Sequence, residues 1–192
     1  GYSADGGKTF PFRGKGVGLM PSLDEVFSRF TSEALLLHVK SNDSSEGALL
    51  VKFLMPLSEE RIKKIRVYGG DQPIKVISEK MPGFKAMSKR TLIKALSDYL
   101  LIGWSGFVPD SCRGAWLHIP LKYAPFLWGW PYKFMKRMEL YGTEIVLVSG
   151  NGVFSEGFDT VEDMKKIPAG FSGYIWTNRI DRVGKPGAVP SN

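Results

Sequence analysis

The sequence predicts an α/β protein built on a parallel sheet, and three observations carry that reading. Segments with helical spacing alternate with short strand-like runs along the whole chain. Most of those runs are continuously apolar, as in WLHIPLK and TEIVLVS, which suits strands covered on both faces. Six such runs are present, and no glycine-rich dinucleotide loop joins a strand to a helix. A doubly wound sheet accepts six strands; a closed barrel needs about eight, which would leave its first two missing.

The opening GYSADGGKTFPFRGKGVGLMPSL lacks an initiator Met and is rich in Gly, Pro and polar residues, so it reads as a loop in mid-course. Regular patterning begins at Pro21. Ser22 as N-cap and Glu25 three residues later form a capping box for a helix through Phe30. Ala34–Ser41 is a strand. Gly47–Leu54 and Ser58–Tyr68 read as helices, the second opening on Ser58 with Glu59-Glu60 and closing on Gly69-Gly70. Pro73–Glu79 and Gly83–Ser88 read as strands. Thr91–Ile102 carries a helical stripe of Leu92, Ala95, Leu96, Tyr99 and Leu100. Trp116–Lys122 is a strand, Phe134–Tyr141 a helix ended by Gly142, and Thr143–Ser149 a strand. Thr160–Ile167 is a short helix with Asp159 at its N-cap, and Gly173–Asn178 is the last strand.

Composition narrows the function classes. At 43% hydrophobic and 23% charged, the 192 residues fit a globular protein. The net charge of +7 invites a nucleic-acid reading, but Lys and Arg are scattered, with only short pairs such as Lys63-Lys64 and Lys165-Lys166. No base-reading module is present, so nucleic acid is not an expected partner; a basic surface that draws in anionic substrates or headgroups explains the excess. Cys112 is the single cysteine, which excludes an intrachain disulfide and a cysteine-based zinc site and reads as a buried thiol. No apolar run approaches the roughly 20 residues that span a membrane.

The nine residues Leu35–Asp43, LLLHVKSND, hold the densest chemistry. His38 and Lys40 are two apart, so in a strand they project from one face, ahead of a turn-forming Ser-Asn-Asp. Paired polar groups at a strand's end can present chemistry, while the plainer alternative is a core histidine and a solvated lysine. Glu79 sits at a strand end and could line a site mouth, though a solvated carboxylate accounts for it. His118, inside WLHIPLK, reads as a structural, hydrogen-bonded histidine.

Four segments in order, DGGKTFPFRGKG (Asp5–Gly16), MPSLDEV (Met20–Val26), HVKSND (His38–Asp43) and GYIWTNRID (Gly173–Asp181), resemble bacterial glycerophosphodiester phosphodiesterases. The likeness runs from about Gly1 to Arg182. It implies a TIM (β/α)8-type barrel that hydrolyses glycerophosphodiesters to glycerol phosphate and an alcohol, using a divalent cation, Ca or Mg, and a histidine pair. The family's His-Arg-Gly strand, Glu-x-Asp metal pair and His-Asp turn occur nowhere in the chain. The resemblance therefore implies a partial barrel over residues 1–182, with residues 1–20 ending an insertion loop, the six strands serving as third to eighth, and a flexible tail at 183–192. The catalytic histidine pair is expected upstream of residue 1, so the chain alone is expected to be inactive.

Within the covered part, Lys40 matches the family's phosphate-binding lysine, and His38 stands where the family has a metal-binding glutamate. Hard cations prefer oxygen, so histidine there would hold a softer metal, act through water or meet the phosphate. Trp176 either packs a glycerol or headgroup or fills the core. The resemblance also implies a bacterial cytoplasmic or periplasmic setting. Two other function classes stand beside the enzyme: a non-catalytic phosphate-binding module, and an oligomeric scaffold in which another chain or an N-terminal fragment completes the incomplete barrel. The segment Tyr123–Phe134, YAPFLWGWPYKF, packs eight aromatic or proline residues into twelve. It reads either as a membrane-surface contact, with Lys122 and Lys133 meeting headgroups, or as a packed lid or oligomer contact.

Overall fold

The computed structural model describes residues 8–9, 20–150 and 156–184. The chain divides into two units, residues 1–34 and 35–192. The first holds α1 (Leu23–Arg29), and its capping box forms as the spacing requires: Ser22 Oγ accepts from Glu25 N at 3.2 Å, and Glu25 Oε2 accepts from Ser22 N at 2.6 Å.

The second unit carries two parallel three-stranded sheets. β1 (Leu35–Val39), β2 (Ile65–Gly69) and β3 (Ala86–Ser88) form one, in that order. β4 (Trp116–Pro120), β5 (Glu144–Val148) and β6 (Tyr174–Ile175) form the other. The connecting helices are α2 (Ser44–Leu54), α3 (Glu59–Ile62), α4 (Asp71–Lys80), α5 (Lys89–Ile102), α6 (Tyr132–Leu140), α7 (Val161–Met164) and α8 (Ile180–Val183).

This arrangement corrects the expected barrel. The six strands do not form one continuous sheet, as the third to eighth strands of a barrel would: β3 and β4 are not hydrogen-bonded neighbours. Where the two sheets adjoin, the backbone N–H of His118 in β4 donates to the Met87 Sδ of β3 at 3.3 Å rather than to a strand carbonyl. A thioether is a weak acceptor, so the ladder stops there. β3 and β6, at three and two residues, offer little backbone for further pairing.

The strand count agrees with the sequence reading, but its membership does not. Residues 65–68 lie inside the expected helix Ser58–Tyr68, yet α3 ends at Ile62 and the strand Ile65–Gly69 follows. The alternation of β-branched Ile65 and Val67 with Arg66 and Tyr68 is the signal that decides it, with Ile65 and Val67 fully buried. Gly69 is the strand's last residue rather than a helix cap; a Cβ there would lie 2.4 Å from the Val39 carbonyl oxygen. Conversely, the expected strand Pro73–Glu79 is the body of α4. Pro73 sits in that helix's first turn, where no N–H is needed, and Pro73, Ile74 and Ile77 face inward at helical spacing.

α4 packs on α2 so closely that a Cβ at Gly47 would meet the Pro73 carbonyl oxygen at 2.5 Å. Leu50, Val51 and Leu54 complete the buried face of α2. The larger core gathers Tyr99 of α5, Phe134 and Met138 of α6, and Leu117, Ile119, Ile145 and Leu147 of the second sheet. All five residues of β4 are buried.

One ionic cluster spans the two sheets. Arg66 of β2 grips Glu144 of β5 with both Nε and Nη2, at 2.7 and 2.6 Å, and Lys85 joins the same carboxylate at 2.5 Å. Burial alone would raise the Glu144 carboxyl, but the hydrogen bonds and charges of Arg66 and Lys85 outweigh it and hold it below its usual value. Removing the carboxylate strands two partly buried cations. Glu144→Ala should therefore lose about 2 kcal/mol in urea unfolding, and Glu144→Gln about half as much. A loss below about 0.5 kcal/mol for both would mark the cluster as a surface contact.

Candidate functional site

Both histidines of the chain fall in one aromatic cluster. Parallel pairing sets His38 of β1 opposite Tyr68 of β2, and their rings stack with centroids 4.0 Å apart. Tyr68 in turn lies 5.2 Å from His118 of β4 and 5.9 Å, edge on, from Trp176. His118 and Trp176 are 5.7 Å apart, and Trp116 closes the group beside His118 at 5.8 Å. Two of the site residues named from sequence, His38 and Trp176, are thus linked through a tyrosine.

Lys40 follows β1 on the exposed side of this cluster. Burial depresses the His38 titration, and the nearby Lys40 charge depresses it further, so His38 is a neutral imidazole at neutral pH. Lys40 forms no ion pair among the described residues. The three residues after it are structural. Asn42 Oδ1 accepts from Gln72 N at the first turn of α4, Asp43 Oδ1 caps α2 through Ser45 N, and Ser41 Oγ accepts from Asp43 N. They hold the end of β1 to two helix starts.

Trp176 is fixed through its backbone. Its N–H donates to the Leu147 carbonyl at 2.9 Å and its carbonyl accepts from Phe158 N at 2.8 Å. Beside it, Asp159 gathers Thr177 Oγ1 and Asn178 N at 3.0 and 2.7 Å. This corrects the assignment of Asp159 as a helix cap: Thr160 is the N-cap of α7, with Asp163 completing its box. The Trp176 indole N–H is buried and meets no acceptor among the described residues. A buried donor in that state costs about 1–3 kcal/mol, which a ligand oxygen would offset.

His118 plays the structural part expected of it. It is 0% exposed, and its Nε2 accepts from Trp116 Nε1 at 2.7 Å. Indole nitrogen only donates, so Nε2 carries no proton and the ring is neutral. Burial, with the His38 charge adding to it, lowers its pKa to about 4.

The expected cation fits poorly. No three His, Cys, Asp or Glu side chains among the described residues gather into a metal-holding group. Around His38 stand a phenol, an ammonium and a second imidazole, while Ca and Mg take oxygen ligands. His38 is therefore better placed to meet an anion than a hard cation. Glu79 is far from any such role: it lies exposed on α4, 3.9 Å from Lys75 one turn earlier. Cys112 is buried, its Sγ donating to the Ala95 carbonyl, and burial pushes the thiol up to about 11. The segment Asp5–Gly16, apart from Lys8 and Thr9, and the tail beyond Gly184 lie outside the described residues.

No family model, curated protein or solved structure matches this chain. Tyr68 was missed from sequence because its strand was read as helix; the alternation of IRVYG was the available signal.

The His118 shift sets a pH dependence with a definite sign. Unfolded His118 takes up a proton near 6.5 and the folded residue only near 4. Stability is thus fully present above that window and falls as pH drops through it, by up to about 3 kcal/mol. Urea unfolding at a series of pH values should show this slope, and His118→Gln should flatten it.

Proposed function

We propose that the chain carries the phosphodiester-binding part of a glycerophosphodiester phosphodiesterase. The observation that carries this is Lys40: an ammonium with no ion-pair partner among the described residues, beside a neutral imidazole and a wall of aromatic rings. An ammonium point charge suits a non-bridging phosphoryl oxygen. His38, neutral in the free protein, can donate one ring N–H to the same anion or take up a proton as the anion arrives. The Tyr68 and Trp176 rings offer apolar faces to a glycerol backbone, and the Trp176 N–H offers a donor to a hydroxyl or phosphoryl oxygen. The resemblance of HVKSND and GYIWTNRID to that family supports the same assignment.

These residues supply binding but not turnover. General acid–base cleavage of a phosphodiester needs two groups that exchange protons on opposite sides of phosphorus. His38 can be one. His118, buried and bonded to Trp116, cannot be the other. The 192-residue chain should bind glycerophosphodiesters without hydrolysing them.

Calorimetric titration with glycerophosphocholine should show saturable binding that weakens about tenfold in Lys40→Ala, the loss of one charge-assisted contact. Trp176→Phe, which keeps a ring and removes the donor, should weaken it about fivefold. Unchanged affinity in Lys40→Ala removes Lys40 as the phosphate ligand, and turnover by homogeneous material removes the inactive half of the reading. In NMR titrations, the His38 pKa should lie below the ordinary 6.5 in the free protein and rise when the ligand saturates. A bound anion favours the imidazolium, so a fall instead of a rise would contradict phosphate contact.

A further inference from the structure

Large apolar side chains at the end of α5 lie exposed beside the aromatic segment 123–131. Leu101, Trp104 and Phe126 are 73%, 69% and 70% exposed, with Trp128 half-exposed between the two elements. These are not loose loop tips. Trp128 Nε1 donates to the Leu100 carbonyl at 2.8 Å, and the Tyr99 hydroxyl donates to the Trp128 carbonyl at 2.8 Å. Arg137 of α6 ties the same corner, its Nη1 donating to the Gly103 carbonyl and the Tyr99 hydroxyl at 2.8 and 2.9 Å. Trp104 Nε1 donates to the Leu101 carbonyl at 3.1 Å. Both indole N–H groups are thus bonded within the protein, so the rings can enter an apolar layer without carrying an unpaired donor.

The charge along the stretch of chain that carries the aromatic segment is one-sided. Lys122, Lys133 and Lys136 are exposed and form no ion pair among the described residues. Lys133 stands against the loop, its Cβ 2.7 Å from where a Cβ at Gly129 would lie. Between Gly114 and Thr143 the sequence holds one acidic residue, Glu139, against Lys122, Lys133, Lys136 and Arg137. In contrast, Asp98 and Asp110 are each paired with a neighbouring cation, Lys94 and Arg113.

We propose that this corner is a docking face for an anionic lipid surface, with Leu101, Trp104, Phe126 and Trp128 entering the interface and Lys122, Lys133 and Lys136 meeting headgroup phosphates. Rigid, preformed aromatic groups beside uncompensated lysines are what interfacial binding uses: apolar burial supplies part of the affinity and anionic headgroups the rest. A second copy of the chain would meet the same lysines and be repelled by them. The inference is independent of the phosphodiester reading, since none of these residues belongs to the aromatic cluster around Tyr68.

Flotation of the full 192-residue chain with phosphatidylcholine vesicles, with and without phosphatidylglycerol, tests it. Binding should appear with the anionic vesicles, fall with added salt, and quench tryptophan fluorescence when the acyl chains are brominated. The double variant Trp104→Ser, Phe126→Ser should partition about tenfold less, and each lysine replaced by Gln should cost about fivefold. Circular dichroism melting of each variant checks that it folds. Three results overturn the proposal: no partition onto anionic vesicles, partition unchanged in the double variant, or a parent dimer that the double variant dissociates.

Discussion

Two sheets with no hydrogen-bonded strand between them are joined on one side by a single carboxylate. Glu144 accepts from Arg66 and Lys85 across the boundary, and Arg66 also donates to the Lys63 and Ile65 carbonyls. This fastens the start of β2 to the start of β5. Two residues further along β2, Tyr68 meets His118 of β4 and Trp176 after β6, and Trp116, in register with Glu144, lies under the Arg66 guanidinium at 5.6 Å and links the two clusters. The rings can therefore lie at fixed separations although the backbone ladder is interrupted. Beside Tyr68, its register partner, Met87 fills the seam, fully buried, with its sulfur accepting the His118 N–H.

The cluster has a graded polarity. At its interior end His118 is sealed, neutral and committed to Trp116; at its outer end His38 and Lys40 are exposed. Tyr68 sits between, its hydroxyl raised by burial above the usual tyrosine value and so protonated throughout the neutral range. An anion approaching from outside meets positive charge first and then uncharged, polarisable rings. On the proposed reading, such a gradient favours a ligand with a charged head and a less polar body.

Local signals were strong at some helix ends, although the α7 cap fell one residue from where the sequence placed it. Ser22, Ser58 and the Gly that ends α6 were legible because capping depends on residues three or four apart. The strands 116–120 and 144–148 were legible because each is an apolar run with a single polar residue, His118 and Glu144 respectively. The exchange of helix and strand around residues 65–80 was not, because IRVYG and PIKVISE each carry β-branched residues and differ only in which positions are buried. That difference is made by α2 packing on α4, a contact between distant segments. Within the site, the His38–Lys40 pair was visible in the strand period, whereas Tyr68 depends on its register with His38 and the Arg66–Glu144 bond on contact across 78 residues. The open seam between β3 and β4 had no local signature, whereas the partial barrel implied by the resemblance required those two strands to pair.

The missing side chain at Gly47 reaches further than its own helix. Because backbone touches backbone there, the distance between α2 and α4 has no slack. The N-terminus of α4 is tied by Gln72 N to Asn42, two residues after Lys40, and α2 begins at the neighbouring Asp43. A lever is thus formed with its fulcrum at Gly47 and Pro73 and its short arm at the end of β1. Where the Lys40 ammonium stands in space is governed by how near two helices can approach, so a single methyl group at position 47 would move a charge it never touches.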